Sequence, residues 1–370
     1  MKPLISINLL LYKPKFYLKP CLESIFAQSY DNFELLIIDN NSSDGTAERV
    51  QEIINEARQR GARAPFYKII VNKENLGFAG GHNLGIRESK GDLVVLVNQD
   101  VILDIDFLKQ AAEAFNDETV ASVQAKILRL RVDNEDMIKT DIIDTTGLVI
   151  LKNRRIIARG QGRQDVGQFD KQEEIFGVDG ALPVYRRKAL EEAKMPQARL
   201  RSAIGGASAD TQNCNQIKDS DNFGEYFDES FFLYKEDVDL AWRLRLYGWK
   251  SYYVPGIIAW HARTAGDSTA TDYFNIVRER IKINRFAKYL SFKNQRLMQI
   301  KNEQPALLLK HVFHWLPKEI FSWIYIILFE YYTWRAIRDL FWQAPRAWEK
   351  RKIIMARKRA SWGEMEKWFK

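Results

Sequence analysis

Two rhythms of apolar and polar positions alternate along the first hundred residues. The runs LISINLL (4–10), FELLIID (33–39), FYKIIV (66–71) and DLVVLVN (92–98) are short and mostly apolar, as buried strands are. Between them apolar residues recur at helical spacing. Leu18, Leu22, Ile25 and Phe26 share one face between Phe16 and Gln28, and Val50, Ile53 and Ile54 share another. Pro20 fits the first of these helices only in its opening turn. Uninterrupted apolar strands alternating with amphipathic helices predict an α/β domain with a mostly parallel sheet covered on both faces. Ligands of such sheets bind beyond the strand C-termini. Asp39 and Asp100 both follow strand ends, so both are predicted to open into one crevice.

Beyond about residue 118 the pattern changes. ASVQAKILRL and GLVILKNRRIIARG read as strands with hairpin-like connections, and GVDGALPVYRRKAL as a strand or turn entering a helix. Residues 195–223 lack apolar periodicity and are rich in Ser, Ala, Gly, Asn and Asp, which predicts a long loop placed as a lid. From Thr271 the chain reads helical. The expected organisation is a catalytic domain over 1–265 and a helical, aromatic and basic region over 266–370.

Charge sharpens this division. The net charge is +8, and from Lys301 to Lys370 there are 14 Lys and Arg against 7 Asp and Glu. The rest of the chain is nearly neutral, which argues against a nucleic-acid groove across the main domain. Seven of the ten Trp also lie in the last 70 residues: Trp315, Trp323, Trp334, Trp342, Trp348, Trp362 and Trp368. The two cysteines, Cys21 and Cys214, follow no metal or redox spacing and read as free thiols of a reducing compartment. MKPLISINLLLYKP has no small-residue cleavage site and reads as a first strand.

Several segments could carry chemistry. In IIDNNSSDGT (37–46), Asp39 leaves a strand where a carboxylate can accept from a nucleobase or ribose; Asn41 and Asp44 lie in the same turn. Ser42, Ser43 and Asp44 serve equally well as caps of the next helix. NKENLGFAGGHNLGI (72–86) combines Gly77, Gly80, Gly81 and Gly85 with Asn72, Asn75 and Asn83. Such a turn opening a helix can receive phosphate, but the spacing is neither a dinucleotide fingerprint nor a P-loop, and tight helix–strand packing explains it as well. His82 reads as a structural neighbour. In YFDESFFLYKEDVDLAWRLRLYGWKSYYVPGIIAWH (226–261), Glu236, Asp237 and Asp239 open a helix, where acids are favoured by its dipole. Asp239 and Arg243, four apart, are expected to pair. Asp237 falls at the edge of the apolar face and is placed to act as a partly desolvated general base, while Glu236 is expected to point away from that face. His261 ends an apolar run and reads by itself as a core residue.

Taken in order, these segments resemble glycosyltransferase family 2, inverting sugar-nucleotide transferases of the GT-A fold, and within it the bacterial rhamnosyltransferase-like branch. The resemblance spans roughly residues 3–265, through SINLLLYKPKFYLKPCLESIFAQSYDNFELLIIDNNSSDGT, NKENLGFAGGHNLGI, LVNQD, GALPVYRRKAL and FDESFFLYKEDVDLAWRLRLYGW with the later His. It implies that Asp39 and Asp44 bind the nucleotide and that Asn98-Gln99-Asp100 stands for a DxD motif. Its last Asp would approach Mg²⁺ or Mn²⁺ on the diphosphate. It further implies that Asp237 is the catalytic base, with Glu236 and Arg243 supporting it. His261 would be a second metal ligand, and Gly180 and Ala181 would line the donor sugar. Hard oxygen donors suit Mg²⁺, and an added imidazole suits Mn²⁺. One base and one direct displacement give inversion, without the second carboxylate of retaining hydrolysis. The sequence departs from the pattern at Asn98, an uncharged residue at the first DxD position, and in the length of the 195–223 segment.

The expected donor is dTDP-rhamnose, with a UDP-hexose or UDP-galactofuranose as alternatives, and the expected acceptor a lipid-linked or cell-surface glycan. A degenerate, non-catalytic membrane scaffold is the reading from another class; a nucleotidyltransferase lacks its basic glycine-rich loop in LLLYKPKFYL. No stretch reaches the roughly 18 uninterrupted apolar residues of a spanning helix, and the run near Phe321–Phe329 is shorter still. Aromatic-basic amphipathic helices favour the membrane interface and anionic lipid. The expectation is therefore a cytoplasmic enzyme resting on the inner face of the plasma membrane, the alternative being helices that simply pack on the catalytic core.

Overall fold

The structure is a computed structural model that describes residues 2–61, 65–134, 136–196, 224–263 and 273–370. The expected alternation is present at the start: β1 (Ile5–Leu11), α1 (Leu18–Phe26), β2 (Phe33–Asp39), α2 (Thr46–Gln59), β3 (Phe66–Val71), α3 (Gly77–Glu88) and β4 (Leu93–Asn98). Pro20 sits in the first turn of α1. β5 (Val101–Leu103), α4 (Phe107–Glu113), β6 (Val120–Asp133), β7 (Asp136–Thr145), β8 (Glu173–Glu174), β9 (Val184–Arg186), α5 (Arg187–Ala193), α6 (Glu236–Leu246) and β10 (Lys250–His261) follow. Ten strands form one sheet in the order β8-β10-β6-β9-β4-β1-β2-β3, with β5 on β10 and β7 on β6. The expected parallel sheet is the half β3-β2-β1-β4. Beyond it β9 runs antiparallel between β4 and β6, which makes the whole sheet mixed. The long β6–β7 hairpin and β10 are what the sequence showed as strands of another kind.

Each face of the sheet is covered. Ile5, Ile7 and Leu9 pack with Leu22, Ile25, Val50 and Ile53 from α1 and α2. On the other face Val94, Leu96 and Tyr185 pack with Ile86 of α3, Phe227 of the segment before α6, and Trp242 of α6. This two-sided burial is why the strands read as unbroken apolar runs. The predicted lid over 195–223 lies outside the described residues, apart from Met195–Pro196, which pair with Gly224–Glu225.

The C-terminal region is helical: α7 (Tyr273–Lys282), α8 (Arg285–Asn302), α9 (Pro305–Lys310), α10 (Val312–Phe329), α11 (Trp334–Arg357) and α12 (Trp362–Glu366). Buried ion pairs join it to the catalytic half. Lys301 of α8 reaches Asp228 at 2.6 Å and Asp239 at 2.8 Å, Lys350 of α11 reaches Asp228 at 2.8 Å, and Arg154 holds Glu303 at 2.8 Å. The other faces of α10 and α11 are open, with Phe313 88% and Trp342 74% exposed. By length and composition alone α10 is apolar enough to cross a bilayer, unlike the shorter run noted above. It nonetheless packs on α8, where Glu319 accepts from Arg296 at 2.6 Å and Trp323 meets Phe292 edge-on.

Candidate functional site

The strand ends of the parallel half build one side of the site. β1 lies between β2 and β4, with Leu11 opposite Asp39 and Leu10 opposite Asn98. Asp39 and Asn98 therefore stand about 10 Å apart, two strand spacings, along one edge of the sheet. Asp39 is almost buried, and its Oδ1 accepts from the Ser42 amide at 2.9 Å. Gln99 turns back to β1, where its amide both accepts from Tyr12 N–H at 2.7 Å and donates to Tyr12 C=O at 3.1 Å.

Asp100 meets His261, brought in by the C-terminal end of β10 beside β5. Asp100 Oδ1 is 3.4 Å from His261 Nε2. The other ring nitrogen, Nδ1, is 2.9 Å from Oδ2 of the fully buried Asp144 on β7. Burial opposes a charge on His261, but the hydrogen bonds and charges of Asp100 and Asp144 outweigh it and push the imidazole up to about 9. Asp144 also takes Arg263 Nε at 2.5 Å, and Arg263 Nη2 lies 3.6 Å from Asp179. Asp179 precedes Gly180, whose amide donates to Asp237 Oδ2 at 3.0 Å. A chain of contacts thus runs from the strand-end corner to the N-terminus of α6. Asp144, Asp179 and Arg263 were not singled out in the sequence; the signal available was that a histidine expected to bind metal needs a carboxylate behind its second nitrogen.

Asp237 is half-buried at the start of α6. Burial, with Asp179 nearby, pushes its carboxyl up to about 6, while the Val238 and Gly180 amides pull the other way. The two residues are in close contact: a Cβ at Gly180 would stand 3.4 Å from the Asp237 carboxylate oxygen, an ordinary packing distance. Arg243 pairs with Asp239 at 3.2 Å as expected, and Asp239 also accepts from Asn302 at 2.7 Å. Glu236 differs from expectation. It is buried rather than solvent-facing, and burial beside Asp237 raises its carboxyl well above the usual range. The C-terminal helices cover the side of α6 that a lone amphipathic helix would show to water.

The glycine-rich segment takes its structural reading. Asn40 accepts from Asn72 and from the Leu76 amide, and donates to Asn75 Oδ1 at 2.9 Å. Asn75 Oδ1 also accepts from Gly77 N–H at 2.8 Å. Gly77 has φ +68°, and a Cβ there would fall 2.3 Å from Phe232 O, so packing requires the glycine. Asn83 is fully buried; it donates to Phe227 C=O and Glu229 and accepts from the Tyr226 and Phe227 amides. Asn75, Gly77 and Asn83 thus brace the turn and the start of α3. Asp44, one residue before the N-cap Gly45 of α2, accepts from the Thr46 amide at 3.2 Å and hydroxyl at 2.5 Å, and Asn41, at φ +64°, accepts from Ser43. His82 is a core residue against Phe78, its ring held down to about 3 by burial.

Among the described residues no group of three His, Cys, Asp or Glu side chains could hold a metal by itself. Asp100 and His261 supply one hard oxygen and one imidazole side by side, and the Asp144 contact fixes which ring nitrogen faces Asp100. That donor set fits Mg²⁺ or Mn²⁺ when further oxygens come from a bound diphosphate.

Residues 11–193 match the model described as glycosyl transferase family 2. The chain carries a glycosyl transferase family 2 domain. A putative glycosyltransferase, EpsH, of Bacillus subtilis is 29% identical over 117 residues, covering 32% of this chain and 32% of that protein. An uncharacterized glycosyltransferase of Haemophilus influenzae is 31% identical over 108 residues, covering 29% of this chain and 40% of that protein. The match thus spans about a third to two fifths of these relatives. Among solved structures, GalNAc-T7 with UDP, GalNAc and Mn²⁺ superposes with a TM-score of 0.52 at 14% identity, over 87% of this chain and 57% of that one. The fold of the family 2 domain is therefore GT-A, the mixed sheet with helices on both sides described above.

Proposed function

We propose that this chain is an inverting glycosyltransferase that moves a sugar from a nucleoside diphosphate donor to a hydroxyl of a glycan acceptor. The observation that carries this reading is Asp237: a half-buried carboxylate held by the Gly180 amide at 3.0 Å, with its carboxyl pushed up to about 6. Such a group is ionised at neutral pH yet basic enough to take a proton. The acceptor oxygen attacks the anomeric carbon and gives its proton to Asp237. The new C–O bond forms as the bond from the anomeric carbon to the diphosphate breaks, and the nucleoside diphosphate leaves from the opposite face. Asp39 receives the base or ribose, Asn98 the ribose or a bound water. Asp100 and His261 would hold Mg²⁺ or Mn²⁺, which when bound would supply positive charge against the leaving diphosphate.

The donor is read as dTDP-rhamnose, from the resemblance of the motif series; a UDP-hexose or UDP-galactofuranose fits the same corner. A panel of these donors, assayed with Mn²⁺ for release of the nucleoside diphosphate, tests the reading. Turnover of one donor with inversion at the anomeric carbon supports it. No turnover and no nucleotide binding would leave the non-catalytic scaffold.

The acceptor is read as lipid-linked, with the enzyme resting on the cytoplasmic face of a membrane. Supporting this, the outward side of α11 presents Trp334, Arg338, Trp342, Trp348 and Lys352, and α10 presents Phe313, Ile320, Ile324 and Leu328. An apolar surface with aromatic and basic flanks fits an anionic bilayer interface.

A further inference from the structure

The turn that delivers Asp237 is strained. Phe232, Tyr234 and Lys235 have φ of +63°, +70° and +77°, in the left-handed region that bulky residues avoid. Three such residues within four positions persist only where the surroundings over-determine them. Lys235 is the last of them, and Glu236 and Asp237 follow as the first turn of α6.

One side chain from the C-terminal region holds this turn. Asn294, fully buried on α8, directs its Nδ2 at the carbonyls of Phe231 at 2.9 Å, Leu233 at 2.9 Å and Tyr234 at 2.8 Å. Two N–H protons shared over three converging carbonyls fix the path of the chain on both sides of Tyr234. The neighbouring Lys293 donates to Ser230 C=O at 2.6 Å. On the far side Phe232 C=O accepts from the Ala79 amide, so the turn is wedged between α3 and α8. With the backbone released, the turn would relax toward ordinary φ values and re-aim the start of α6, and Asp237 with it.

We infer that Asn294 is a positioning residue for the catalytic base: its amide holds the strained 231–235 turn and thereby sets where the Asp237 carboxylate stands. The inference rests on the proposed role of Asp237. It assigns part of the active-site geometry to a residue a hundred positions beyond the segment that matches the family model. Asn294 touches no reacting atom; it acts through the turn.

The test compares Asn294→Ala and Asn294→Ser with wild type and with Tyr289→Phe. The last loses a 2.6 Å hydrogen bond from α8 to Asp339 of α11 without touching the turn. Asn294→Ala is expected to lower kcat at least tenfold, leave KM for the donor within threefold, and move the acid limb of the pH profile to lower pH as Asp237 becomes more hydrated. Asn294→Ser, which keeps one donor, is expected to recover part of kcat. Amide hydrogen exchange at 232–238 is expected to quicken in Asn294→Ala, with the sheet protected as in wild type, and not in Tyr289→Phe. If Asn294→Ala lowers thermal stability like Tyr289→Phe while kcat, pH limb and exchange match wild type, the inference is overturned and the proposed function stands. If wild type turns over no donor, the exchange measurement decides alone: unchanged protection at 232–238 overturns the positioning role.

Discussion

The Gly180 amide donates to Asp237 Oδ2 at 3.0 Å, and this contact ties the Asp179–Gly180 segment to the first turn of α6. One hydrogen bond does not offset the burial of that carboxylate, so its carboxyl rises to about 6. The sign of the stability effect follows. Well below pH 4, native and unfolded chains both hold the proton. As pH rises from about 4 to about 6 the unfolded chain has lost a proton that the native state still holds, so stability falls over that window and levels off once the native carboxyl ionises. Asp237→Asn is exempt. Its stability relative to wild type is expected to improve by ~1–3 kcal/mol between pH 4 and pH 8, from about two units at ~1.4 kcal/mol each. Denaturant midpoints across that range check this; a parallel pH dependence of the two proteins contradicts it.

Asp144 is the buried acceptor for His261 Nδ1 at 2.9 Å. If His261 and Asp100 hold the metal, Asp144→Asn loosens the ring, and the Mn²⁺ concentration for half-maximal activity is expected to rise roughly 10–100-fold. Removing metal with EDTA is expected to abolish transfer in both proteins, and added Mn²⁺ to restore it. Calorimetric Mn²⁺ titration in the presence of the nucleoside diphosphate checks the affinity directly.

Lys301 is fully buried between Asp228 and Asp239. Lys301→Met leaves two buried carboxylates without this cation, although Lys350 still reaches Asp228 and Arg243 still reaches Asp239. Breaking a buried pair from one side is expected to destabilise by ~3–5 kcal/mol. Urea unfolding measures it; a loss below ~1 kcal/mol would mean that the remaining cations suffice.

The exposed aromatic face of α11 gives a separate expectation. Trp342 is 74% and Trp334 53% exposed, so replacing both with Ala should leave folding nearly intact. Co-sedimentation with vesicles containing anionic lipid is expected to fall at least fivefold, and neutral vesicles to bind little of either protein. Equal binding by variant and wild type would leave the packing of these helices on the catalytic core as their role.

What the sequence revealed follows from how local each feature is. β2 spans the residues its apolar run marked, because both of its faces are buried; β3 follows its run as well, although it is the edge strand and Phe66 and Val71 are exposed. The Asp239–Arg243 pair was legible because it lies four apart on one helix. Glu236 was misplaced because α6 is buried nearly all round, which no helical periodicity within it records. Spacing alone could not show what Asn75, Gly77 and Asn83 touch, because amides and glycines serve both to lock turns and to meet ligands; their contacts with Asn40, Phe232 and Phe227 are long-range. Asp144 could not be found by spacing at all, since it reaches His261 across 117 positions.

The central claim is that Asp237 takes the acceptor proton. Its most direct test is transfer by wild type and Asp237→Asn across pH, with a donor that wild type turns over. The account predicts that wild-type kcat falls below a pH of about 6. It also predicts that Asp237→Asn loses roughly 10²–10⁴-fold in kcat at neutral pH, with donor binding retained. An Asp237→Asn enzyme with wild-type kcat, or with the same acid limb, would contradict it.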